Sequence, residues 1–242
     1  SELRYMNDST ELVYALNLLD TAITARSRSG SSATEFLSSF SQWLQSQINQ
    51  GPMLFSASFR ANGNLLSQWR GYSNHGKGVS LGFNHEAIQS LAVAQNFYLG
   101  QCLYDSQAQH DLAYEIVDCL ISMYQEGEDR SAIFHGIEAD LMIICALLKH
   151  PSFAEEQEWR LISPTFTSTA DAPIAFREGK AMLVPYYLFD LELDRVIKLD
   201  HVFVGPTPNA ALSVNSLMHY LTNKNARPEK GISDSEIPYR PR

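Results

Sequence analysis

Apolar residues recur at helical spacing near the start and again in the middle of this chain, and short alternating runs flank them. That order narrows the fold more than any motif does. Leu12, Leu16, Leu19 and Ile23 lie on one helical face. Asn7-Asp8-Ser9-Thr10-Glu11 precedes them as a helix start, with Asp8 as N-cap and Glu11 closing a capping box. A Ser/Gly-rich loop over residues 27–34 leads to a second helix with Phe36, Phe40, Trp43 and Leu44, which ends near Gly51-Pro52. Residues 53–59 read as a strand, because they follow the Gly-Pro break and stop at Asn62-Gly63. Leu65, Trp69 and Tyr72 then share one face of a short helix, and Gly76-Lys77-Gly78 turns the chain into a strand over 79–83.

Further helical patterns join Ile88 with Leu91, then Leu112, Ile116, Cys119 and Met123, then Ile133, Ile137, Leu141, Ile144 and Leu148. A strand over 96–104 falls between the first two. The two long helices are expected to pack on each other through these rows and to bury Cys119 and Cys145. Strand-like runs at 159–163, 181–187, 195–199 and 201–204 follow, and Gly205-Pro206 stops the last before a helix with Leu212, Leu217 and Leu221. Strands at both ends with helices grouped in the middle favour α+β over a doubly wound sheet. At 242 residues, 45 % hydrophobic, the chain reads as a single domain over 1–242 with a helical insertion at about 105–150.

Charge sets limits on partners. A formal net charge of −9 argues against long-range attraction to nucleic acid or to an anionic membrane surface. Arg60, Arg70 and Lys77 still lie close enough in sequence to form a local basic patch. Cys102, Cys119 and Cys145 are odd in number, lack CxxC spacing and sit in apolar settings, as in a reduced cytoplasmic protein. The seven histidines are scattered without metal-ligand spacing, so no metal site is expected, and a nuclease lacks its metal cluster.

The densest chemical signal is Glu155-Glu156-Gln157-Glu158-Trp159-Arg160, running into Leu161-Ile162-Ser163. On an extended backbone Glu156, Glu158 and Arg160 share one face, with Trp159 and Leu161 on the other. Crowded carboxylates repel, so at least one is expected to have a raised pKa if the site is partly dry. Two readings stay open: a general base or sugar-hydroxyl ligand at the mouth of a sheet, or a charged loop with Arg160 paired to a glutamate. A second dense stretch, Leu66-Ser67-Gln68-Trp69-Arg70-Gly71-Tyr72 with Gly76-Lys77-Gly78-Val79, places two aromatics and two basic residues between adjacent strands. It reads either as a lid over a flat ligand or as an amphipathic turn with a glycine-rich hairpin. Its glycines match neither a P-loop nor a dinucleotide fingerprint.

These stretches, with Leu3-Arg4-Tyr5-Met6-Asn7-Asp8, Phe55-Ser56-Ala57-Ser58-Phe59, Val184-Pro185-Tyr186, Val204-Gly205-Pro206 and Ser235-Glu236-Ile237-Pro238, resemble the bacterial domain of unknown function 2971 family from end to end. The order of strand 53–59, the aromatic helix, strand 79–83 and a late strand led by Glu158 is also similar to the ADP-ribosyltransferase fold. That resemblance implies a mixed or antiparallel sheet core and NAD as substrate. It implies that Glu158 is the catalytic carboxylate, that Tyr72 or Trp69 stacks on nicotinamide, and that Ser58 lies by the cofactor. Arg70 and Lys77 join the cofactor-binding set, and Glu156 positions or deprotonates an acceptor, protein or nucleic acid. By analogy it suggests a toxin or anti-phage effector. Such enzymes carry a His or Arg on their first strand. Members of the family usually have a His-Tyr-Thr-like segment upstream of the position where this sequence begins, and Arg4 is a poor substitute for it. The alternative is a non-catalytic module that binds a nucleotide or a protein in the same cleft.

Overall fold

In the computed structural model, residues 1–3, 10–28, 33–73, 78–124, 129–170, 172–179, 181–193 and 195–237 are described. Their elements run α1 (Thr10–Arg28), α2 (Thr34–Gln50), β1 (Ser56–Arg60), α3 (Leu66–Tyr72), β2 (Val79–Phe83), α4 (His85–Ala94), β3 (Tyr98–Gln101), α5 (Ser106–Met123) and α6 (Arg130–Leu147). They continue with β4 (Glu158–Ile162), β5 (Ala175–Glu178), β6 (Leu183–Tyr186), β7 (Glu192–Leu193), β8 (Val196–Val204), α7 (Ala210–Asn223), β9 (Ala226–Pro228) and β10 (Ile232–Asp234). The fold is mixed α+β. Two compact units form, each from two separate stretches: residues 1–59 with 96–188, and residues 60–95 with 189–242.

The first unit is built around α1. Leu12, Leu16, Leu19 and Ile23 are all buried, as their spacing requires, against Phe36, Phe40 and Leu44 of α2. Phe134 of α6 completes an aromatic cluster with Phe36, Phe40 and Trp43. The long helices α5 and α6 do not pack chiefly on each other, contrary to the sequence expectation. Both lie against α1, and α6 also meets α2. The buried stripe of α5 is Gln109, Ala113, Val117 and Leu120, with Leu112 and Ile116 at its flank. Small Ala113 and Val117 suit a close helix approach. Gln109 is admitted because its amide is paired: Nε2 donates to Leu103 O at 2.7 Å and Lys149 O at 2.8 Å, while Tyr14 Oη donates to Oε1 at 2.6 Å.

This rotation turns Cys119 outward, whereas Cys102 and Cys145 are buried. Burial pushes both buried thiols up to about 12. A thiol reagent added to the native protein is therefore expected to modify Cys119 alone, with Cys102 and Cys145 reacting only after denaturation. Equal rates at all three, read by peptide mass spectrometry, would overturn this packing.

The sheet of this unit runs β1-β4-β3, with β3 antiparallel to β4 from Tyr98 opposite Ile162 to Gln101 opposite Trp159. Residues 1–3 lie between this sheet and the β5-β6 hairpin. Leu3 N donates to Leu54 O at 2.8 Å, and Glu2 N donates to Pro185 O at 3.1 Å. The second unit centres on β8, which is continuous where the sequence suggested two runs. It pairs antiparallel with β2 and β7 and parallel with β9 and β10. Leu217 and Leu221 of α7 cover Leu199 and Val202, leaving Leu212 exposed. Strand β2 thus belongs to a different sheet from β1 and β4. Among the described residues no helix is long and apolar enough to cross a membrane.

Candidate functional site

Helix α6 ends at Leu147, and Lys149 is then pinned on both sides of its backbone. Its N–H donates to Leu103 O at 3.1 Å and its carbonyl accepts from Gln109. His150 caps a short 3-10 turn, Pro151–Glu156, by accepting from Ser152 N at 3.2 Å, and Pro151 suits the first turn because it needs no donor there. Gln157 closes the turn at φ 41°, a left-handed conformation unusual for a residue with a side chain. This reversal puts Glu156 on the turn and Glu158 at the head of β4. Glu156 is therefore not on the strand face that strict alternation assigned to it. Glu158 and Arg160, two positions apart on β4, do share a face.

Their side chains enter an interior ion network. Arg160 donates from Nε to Glu158 Oε1 at 2.8 Å, from Nη1 to Ala146 O at 2.6 Å, and from Nη2 to Glu11 Oε2. Lys149 Nζ donates to Glu158 Oε2 and, at 2.7 Å, to Glu156 Oε2, and lies 3.2 Å from Glu11 Oε1. The Phe153 ring centroid is 5.3 Å from the same ammonium. Tyr104 Oη accepts from Glu158 N at 3.0 Å. The hydroxyl of Ser58, exposed on β1, helps to lower the pKa of the Glu158 carboxyl. The Glu158 and Lys149 side chains are each 1 % exposed, and that of Glu156 is 20 % exposed.

Burial alone would raise the pKa of Glu158. The hydrogen bond and charge of Arg160 outweigh it, helped by Lys149 and Ser58, and hold the carboxyl down at about 2. This is the opposite of the raised pKa expected from carboxylate crowding. The sequence spacing brought the acids together but did not reveal the two cations between them. Burial would likewise lower Lys149, yet its bonds to Glu156 and Glu158 and the nearby Glu11 charge raise it. Arg160 is raised by Glu158 in the same way, against its own burial.

Of the other predicted residues, Trp69, Arg70 and Tyr72 belong to the second unit. Trp69 is buried, with Nε1 donating to Asn64 Oδ1 at 2.9 Å, so it does not share an exposed face with Tyr72. Tyr72 is 71 % exposed, Arg60 Nη2 donates to its hydroxyl at 3.4 Å, and Arg70 is exposed. Of the two stacking alternatives, only Tyr72 presents a ring to solvent. Lys77 lies outside the described residues, as do Arg4 and the capping residue Asp8.

Sequence reasoning missed Lys149 as a site residue and read Glu11 as a capping carboxylate, whereas its oxygens face Lys149 and Arg160. A signal for Lys149 was present: a lone charge closing the apolar run that ends Leu147-Leu148. Such a charge is buried only when it is paired.

Residues 68–161 match the family model described as Protein of unknown function (DUF2971), the family whose resemblance the motifs carry. The match spans α3 to β4 and includes Tyr72, Lys149, Glu156, Glu158 and Arg160. No curated protein and no solved structure matches the chain.

Proposed function

We propose that this protein is ADP-ribosyltransferase-like and takes NAD as its substrate. The observation that carries the reading is the pairing of β1, which carries Ser58, with β4, which is headed by the interior carboxylate of Glu158. Glu158 itself is interior, so it acts through Ser58 and as a permanent negative charge. Glu156, partly exposed beside it, is the carboxylate that a ligand reaches.

In the transfer, the bond between nicotinamide nitrogen and ribose C1′ breaks and its electron pair leaves with nicotinamide. The acceptor's nucleophilic atom forms the new bond to C1′, and its proton passes to Glu156. The negative charge of the pair favours the oxocarbenium-like centre between these events.

A second reading is favoured by one observation: both oxygens of Glu158 are already held by cations. A carboxylate so neutralised suits a non-catalytic nucleotide- or protein-binding module. Nicotinamide release from NAD, followed by chromatography with candidate acceptors, separates the two. Wild type is expected to release nicotinamide, and Glu156→Gln to slow release roughly 100-fold or more while still binding NAD. NAD binding by calorimetry with no release from wild type leaves the binding module. Equal turnover by wild type and Glu156→Gln makes Glu156 a structural carboxylate.

A further inference from the structure

We infer that Lys149 is the positioning residue of this site, the cation that joins Glu156 to Glu158 and sets where both carboxylates point. Its consequence for rate rests on the transferase reading; its consequence for the carboxylates does not. Three facts carry the inference. Lys149 is interior, so its ammonium has no water shell and depends on protein partners. Its backbone is held on one side by Leu103 and on the other by Gln109, which fixes the point from which the side chain reaches. Along that reach it meets Glu156 on the turn and Glu158 on β4, two elements joined by the left-handed Gln157.

Arg160 touches Glu158 and Glu11, so Lys149 supplies what Arg160 does not, a hold on Glu156. With Lys149 in place, the partly exposed Glu156 is anchored through one oxygen to the interior pair. The charged and titratable groups facing this ammonium are Glu11 from α1, Glu156 from the turn, and Glu158 and Arg160 from β4. Cys102 and Tyr104, which follow β3, complete the set.

The test uses the full chain with Lys149→Met and Lys149→Arg. Carboxyl carbons of the glutamates are followed by NMR through an acid titration, and nicotinamide release is measured across pH. Lys149→Met is expected to raise the titration midpoint of Glu158 by about one unit or more, and Lys149→Arg to restore it in large part. If wild type releases nicotinamide, the acid limb of its pH profile should move upward with the Met variant. If wild type releases none, the transferase reading fails, and the carboxyl titration alone still judges Lys149. A Glu158 midpoint unchanged in Lys149→Met would overturn the inference. Should the Met variant not fold, the ammonium nitrogen of Lys149 is observed in wild type and in Glu156→Gln. A slowly exchanging resonance that shifts with Glu156→Gln supports the inference, and one that does not move defeats it.

Discussion

Arg160→Met is expected to destabilise the protein by about 3–5 kcal/mol, the cost of leaving buried charges without their partner. The guanidinium is interior and makes three bonds at once, to Glu158, to Glu11 and to the Ala146 carbonyl. Methionine fills much of the same volume, so the loss is electrostatic rather than a cavity. Glu11, Glu156 and Glu158 then share Lys149, and the last turn of α6 loses a donor. Urea unfolding measures the effect through a lowered midpoint at unchanged slope. A loss below about 1 kcal/mol would place Arg160 among surface-type ion pairs, which contribute little, and would contradict the interior network. Replacing Glu11, Glu158 and Arg160 together by apolar residues is expected to cost far less than Arg160→Met, because no unpaired charge remains.

Acid should remove much of the same stabilisation. Glu158 has a folded-state pKa depressed to about 2, against an ordinary value of 4.5. A depressed carboxyl binds fewer protons in the folded than in the unfolded state, so its contribution is complete above the unfolded pKa. It is lost as pH falls from about 4.5 through about 2, by roughly 3 kcal/mol at 1.36 kcal/mol per unit. Lys149 behaves with the opposite sense. Its raised pKa stabilises fully below its ordinary value of 10.5, and that contribution is lost only as pH rises through the higher folded value. Unfolding free energy measured from pH 6 to pH 2 in wild type and Glu158→Gln tests the acid side. The wild-type curve should fall more steeply between 4.5 and 2, and parallel curves would rule out the assignment.

The helical rows show how far local pattern reaches. Leu12, Leu16, Leu19 and Ile23 declared their buried face because a helix repeats on itself, whatever packs against it. Strand β2 came out at 79–83 as read. In α5 the same method picked a neighbouring stripe, because Leu112, Ile116, Ala113 and Val117 are all apolar and only contact with α1 chooses among them. Tyr72 and Trp69 were placed on one face, yet a hydrogen bond to Asn64 draws the indole inward and leaves the phenol outside.

The candidate site divides along the same line. The cluster Glu156, Glu158 and Arg160 was visible by itself, including the option that Arg160 pairs with a glutamate, because those residues are near neighbours in the chain. The state of that cluster was decided elsewhere. Glu11 lies 149 positions before Arg160, and Lys149 reaches the acids only because α6, the turn and β4 fold back on one another. Coulomb energy depends on distance and on the exclusion of water, and neither is written in the order of residues. Residue order alone set the acids at the mouth of a strand. The packing of α1 and α6 beside that strand bound them into an ion network with Lys149 and Arg160.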